Sequence, residues 1–172
     1  MSEPTDSLAA FAELLRKKNP AYLDLATAQT DDESEKAFIV ILESAVQHLE
    51  KNKRNFAPLG EVGLSAVMAG TLSMPGLLTA IPEANSNGHV DLMIEIYNCE
   101  PPRIRLGEAK LYAGPSYHIK GIGQLLGRYT TGRELPGLLI SYVRKEDIKG
   151  ITAKLKAGSA ASRKPNWAVR GS

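Results

Sequence analysis

Cys99 is the only cysteine in 172 residues. One thiol excludes a disulfide framework and a thiolate zinc site. No apolar run approaches the roughly 20 residues that cross a bilayer. The N-terminus lacks the basic segment and apolar run of a secretory leader. The expectation is therefore a reducing, cytoplasmic location with no membrane partner. No Walker-type glycine loop is present, and the chain shows neither repeats nor low-complexity blocks. Acids are missing after Asp147, where only Lys149, Lys154, Lys156, Arg163, Lys164 and Arg170 carry charge. This asymmetry suits either a solvated basic tail or an end that guides a polyanion, whereas the net charge of +2 identifies no partner.

Hydrophobic residues at 43% and charged residues at 23% are ordinary globular values for one domain with a real core. Leu8, Phe11, Leu14 and Leu15 recur at helical spacing after a loose first eight residues, and Asn19-Pro20 ends that helix. The segment Leu23–Thr30 stays ambiguous. Asp31 or Asp32 is expected to cap a long helix with Phe38, Ile39, Ile41, Leu42, Val46 and Leu49 buried. A charged stretch, Glu50 to Arg54, and a turn around Pro58 follow. The next helix, Glu61–Leu72, uses Val62, Leu64, Ala66, Val67 and Leu72 for contact. Strands are expected at Leu77–Glu83, Val90–Tyr97, Arg103–Leu111 and Gly137–Val143, the last buried on both faces. A helix from Tyr117 to about Arg133 precedes that last strand. A short helix over Asp147–Lys156 and an edge strand around Trp167 complete the reading. The fold class is α/β, a mixed sheet flanked by helices. Residues 1–57 form a helical extension packed on a core of residues 58–172 with a basic tail.

The chemistry concentrates on two of these strands. Asp91 lies in an alternating run, Val90-Asp91-Leu92-Met93-Ile94. Glu108 and Lys110 lie two apart on the next strand and so share a face. If the strands pair, two carboxylates and an ammonium group surround one point. Magnesium takes one or two carboxylates plus waters and phosphate oxygens. Asp91, Glu108 and the Ala109 carbonyl supply such ligands, with Mn²⁺ a substitute, and Lys110 is placed to steady charge on a phosphodiester. Gly107 leaves room beside the acid. The plainer reading is a pair of strand acids balanced by Lys110 or Arg105. On the following helix, Lys120, Gln124 and Arg128 are spaced to share a face toward the acidic edge, for DNA phosphates or an unpaired base. His48 and His118 have no metal spacing with any partner.

Gly88-x-Val90-Asp91, then Gly107-Glu108-Ala109-Lys110, then a helix with Gln124, resembles the PD-(D/E)xK superfamily of restriction-endonuclease-like proteins. The resemblance covers roughly Gly60 to Lys145 and lacks the proline that usually precedes the first acid. It implies an αβββαβ core, with the first helices outside it, and a Mg²⁺-dependent nuclease acting on DNA rather than RNA. By that resemblance Asp91, Glu108 and Lys110 are catalytic, and a glutamate on the helix before the sheet joins them. Glu61 fits that place better than Glu43, and Glu83 is a further acid at the end of the first strand. The apolar surface of the N-terminal helices, with the two sites that duplex cleavage needs, suggests a homodimer, and a role in restriction, phage defence or repair follows from the same resemblance. Two other functions compete with it. One is a catalytically silent module of this fold that binds nucleic acid or a protein. The other is a carboxylate hydrolase for glycosides, which the low aromatic content of 6% disfavours.

Overall fold

A computed structural model describes the backbone of residues 4–85, 89–128, 136–144 and 147–161, and the side chains of 9–82, 90–125, 136–144 and 147–155. Seven helices and four strands are described: α1 Pro4–Lys18, α2 Pro20–Thr27, α3 Asp31–Lys51, α4 Lys53–Phe56, α5 Glu61–Leu72, β1 Leu78–Asn85, β2 His89–Ile96, β3 Arg103–Leu111, α6 Pro115–Arg128, β4 Leu138–Tyr142 and α7 Ile148–Ala161. The strands form one mixed sheet in the order β1-β2-β3-β4. The first three make an antiparallel meander, and β4 returns parallel to β3. That return requires a crossover, which α6 supplies. The protein is thus α/β, with helices on both faces of the sheet.

Side-chain alternation divides the sheet's work. Leu92 and Ile94 of β2 point to the face covered by α3 and α5, where they share a core with Leu25, Phe38, Ile41, Met68 and Leu72. Ala109 and Tyr142 meet Leu64 on the same side. On the opposite face α6 lies across β3 and β4, and Leu125 packs near Leu106 and Met93. Arg105 belongs to the first face, because it is three residues from Glu108 and so of opposite parity. Its guanidinium sits 4.5 Å over the Phe38 ring and pairs with Glu35. Nη1 donates to the Pro136 carbonyl at 2.8 Å. Arg105 is therefore a core cation tying α3 to β3, and Lys110 balances the acids without it.

Local chemistry explains where the helices begin. Thr30, not Asp31 or Asp32, caps α3: its hydroxyl accepts from Glu33 N–H at 3.2 Å, and Glu33 reaches back to Thr30 N–H at 3.2 Å. This reciprocal capping box satisfies two orphan donors at once, leaving the two aspartates to favour the dipole from the first turn. The ambiguous stretch after Asn19 is helix α2, opened by Pro20, whose missing N–H costs nothing there. α1 starts at Pro4, before the expected position.

Several expected core positions turn outward. The buried line of α3 is Ser34, Ala37, Phe38, Ile41 and Ala45, while Ile39 and Val46 remain more than a third exposed. One step along a helix rotates a side chain by about 100°, so neighbours of the line leave it. α5 behaves alike, burying Leu64, Met68, Ala69 and Leu72 and exposing Val62 and Ala66. In β4, Leu138, Leu139 and Ile140 are half-buried rather than enclosed on both faces, because among the described residues β4 is a sheet edge. The expected strand around Trp167 and the expected extension of α6 to Arg133 lie outside the described residues.

Candidate active site

The β2–β3 ladder pairs Leu92 with Gly107 and carries no further register pair toward Asp91. There the Asp91 side chain takes over: its Oδ2 accepts from Ala109 N–H at 2.8 Å. The N–H and C=O of one strand residue point to the same side, so the Ala109 carbonyl opens toward the same gap. Lys110 folds back over β3 with Nζ 2.6 Å from Glu108 Oε1 and 3.9 Å from Asp91 Oδ2. Glu61, first residue of α5, accepts from Leu111 N–H at 2.8 Å and adds its field to Lys110. The structure thus brings Asp91, Glu108, Lys110 and Glu61 to one end of β3. Glu43 stays exposed on α3, and the Glu83 side chain lies outside those described.

Charge does not balance there. Three carboxylates act on Lys110, leaving two negative charges in excess. The cluster is recessed, with 3% of Glu108 exposed and the Asp91 and Lys110 side chains at 26% and 14%. Burial pulls the Lys110 ammonium toward losing its proton, but the hydrogen bond and charge of Glu108, with Asp91 and Glu61, outweigh that. Its pKa ends above the ordinary lysine value. The stabilisation is therefore full below pH 10.5 and lost as pH rises through the raised pKa.

The donor set suits a hard cation. Asp91 Oδ1, a Glu108 oxygen and the Ala109 carbonyl are hard oxygen donors of the kind magnesium takes, and a divalent ion would offset the acid charge. Among the described residues no group of three His, Cys, Asp or Glu side chains is gathered to hold a metal. Magnesium needs only one or two carboxylates, because it keeps several of its waters.

Four residues at this end were not singled out from the sequence as members of the site. Tyr142 OH lies 3.3 Å from Ser65 Oγ, one turn beyond Glu61 on α5. Burial raises the Tyr142 pKa, the Ser65 hydrogen bond opposes that, and Asp91 and Glu61 raise it further. On the α6 side, His118 Nδ1 is 2.6 Å from Ser141 Oγ, and Ser141 is the register partner of Lys110. The available signal was Ser141, the one serine in the strand Leu138 to Tyr142. Burial lowers the His118 pKa. Neutral His118 therefore supports the fold fully above pH 6.5, and that support declines as pH falls below it. Thermal unfolding followed from about pH 7.5 to 5 should show His118→Asn losing less stability than the parent. Equal slopes would refute this.

α6 meets the sheet through His118, Gly121 and Leu125. A Cβ on Gly121 would stand 2.8 Å from Leu139 Cδ1 and 3.8 Å from Lys110 Cγ, so its absence lets the helix close over the lysine stem. The expected stripe is rotated from this line: Lys120 is exposed, Gln124 is half-buried, and the Arg128 side chain is outside those described. Gly107 also departs from expectation. Its missing Cβ would meet Leu92 Cβ at 3.2 Å, on the core face rather than beside Glu108. No family model matches the chain, and no curated protein or solved structure matches it either.

Proposed function

We propose that the protein is a Mg²⁺-dependent nuclease of the restriction-endonuclease-like type, hydrolysing phosphodiester bonds in nucleic acid, with DNA ranked ahead of RNA. The observation that carries this reading is the recessed meeting of Asp91 and Glu108 at the Lys110 ammonium, with Glu61 hydrogen-bonded to the adjoining end of β3. The element order α5-β1-β2-β3-α6-β4 supports it, being the αβββαβ order of such enzymes.

Asp91, Glu108 and the Ala109 carbonyl would hold the ion. When bound, it supplies Lewis acidity toward a phosphate oxygen and a water of lowered pKa. The chain's own residues do the rest. Lys110, held by Glu108, carries a fixed positive charge to the place where phosphate oxygens gain charge. Asp91 is oriented by the Ala109 N–H, and Glu61 by the Leu111 N–H, so both carboxylates are aimed before substrate arrives. Restriction, phage defence and repair are the settings such an enzyme suits.

A second reading, a module of this fold that binds without cutting, draws on the deep burial of Glu108. One experiment separates them. Plasmid, linear duplex, single-stranded DNA and RNA are incubated with the protein in Mg²⁺, in Mn²⁺ and in EDTA, beside Asp91→Asn. Cleavage is expected only with metal and only with Asp91 present. Binding without any cleavage would favour the silent module. Cutting that persists in EDTA would sink the metal-dependent reading.

A further inference from the structure

The outward flank of α6 bears on what passes these carboxylates. Tyr117, Lys120 and Gln124 stand at i, i+3 and i+7 and so form one line. It lies about a quarter turn from the sheet-facing line of His118, Gly121 and Leu125. Tyr117 leaves 41% of its surface in solvent, in the first turn of α6. Only residues 112–114 separate that turn from the end of β3, which carries Glu108 and Lys110. The line therefore starts at the site and leads away from it. Lys120 is exposed within it, and α7, which packs on α6, adds exposed Lys149 and Lys154, with Asp147 the one acid at its N-terminal end.

A duplex keeps its bases stacked inside and offers an exposed aromatic ring no free base face. An unpaired strand bends at each nucleotide and offers free base faces. An exposed ring flanked by cations is the chemistry that binds such strands without reading sequence.

We infer that the substrate is unpaired nucleic acid, with a base stacked on Tyr117 and the backbone held by Lys120, Lys149 and Lys154. Cleavage of that strand rests on the nuclease reading above, while its binding does not. One strand needs one site, so no second copy is required.

The test is binding by the full chain in EDTA, where metal-dependent cleavage is silent. Fluorescence anisotropy compares single-stranded DNA, single-stranded RNA and duplex DNA of about 16 nucleotides. Single strands are expected to bind at least about 10-fold more tightly than duplex, and the tighter of DNA and RNA identifies the sugar preferred. Tyr117→Ala should lose about 10-fold on single strands, and Tyr117→Phe, which keeps the ring, should restore it. Lys120→Ala should lower the salt slope by about 0.7. Equal affinity for duplex, or no effect of Tyr117→Ala, overturns the inference. Single-strand binding without cleavage in Mg²⁺ would keep this inference and remove the nuclease reading. Duplex cutting indifferent to Tyr117→Ala would do the reverse.

Discussion

Lys110→Met is expected to lower metal-dependent cleavage by about 10²–10³-fold, the usual cost of removing one preorganised charge from a transition state. The same change should destabilise the metal-free protein by about 3–5 kcal/mol, because it strands a carboxylate that is 3% exposed. Magnesium should restore part of this, about 2.7 kcal/mol at 100 times its dissociation constant. Glu108→Gln separates the two effects. It removes a negative charge from a site with two in excess, so stability should change little while cleavage is lost and the magnesium response weakens. Urea unfolding with and without Mg²⁺, alongside a cleavage assay, reads all of this. A Lys110→Met protein as active as its parent would remove Lys110 from the chemistry. A magnesium response unchanged by Glu108→Gln would remove Glu108 from the metal site.

Phe38→Ala carries the largest expected cost to folding alone. Phe38 is fully buried on α3 among Leu25, Leu72 and Ile94, and a cavity of that size costs about 3–5 kcal/mol. The ring also faces the Arg105 guanidinium at 4.5 Å, an interaction of about 2 kcal/mol when desolvated. Against a typical total of about 5–15 kcal/mol, the variant is marginal. Phe38→Leu fills most of the cavity but gives Arg105 no π face, so its smaller loss isolates the cation–π contact. The denaturation midpoints should shift with unchanged slopes. A loss below about 1 kcal/mol for Phe38→Ala would contradict this packing.

The strands were legible where alternation was clean. The strand expected at Val90–Tyr97 runs His89–Ile96, and Arg103–Leu111 has its expected bounds. The proximity of Asp91, Glu108 and Lys110 followed from parity once the two strands were taken as neighbours. The outer faces of α3 and α5 were less legible, because Ile39, Val40, Val46 and Val62 are apolar yet exposed. Hydrophobicity marks which residues can be buried, and the position of the sheet selects which of them are. The capping box was written in the sequence as Thr30-x-x-Glu33, but the neighbouring aspartates offered an equally plausible cap.

By itself the sequence determined the composition class, the order of the strands with α3, α5 and α6 around them, and the spacing that puts Glu108 and Lys110 on one face. Those are consequences of local periodicity, which needs no partner. Only the tertiary structure decided that Glu61 reaches the end of β3, that Arg105 serves the core, and that His118 and Ser141 stand beside Lys110. Each joins segments 23 to 70 residues apart, and such contacts depend on strand register and helix rotation. One residue of slip in β4 would turn Ser141 to the other face. The opening between β2 and β3 is likewise tertiary: the register pairs end at Leu92 and Gly107, and the Asp91 side chain replaces the next backbone partner.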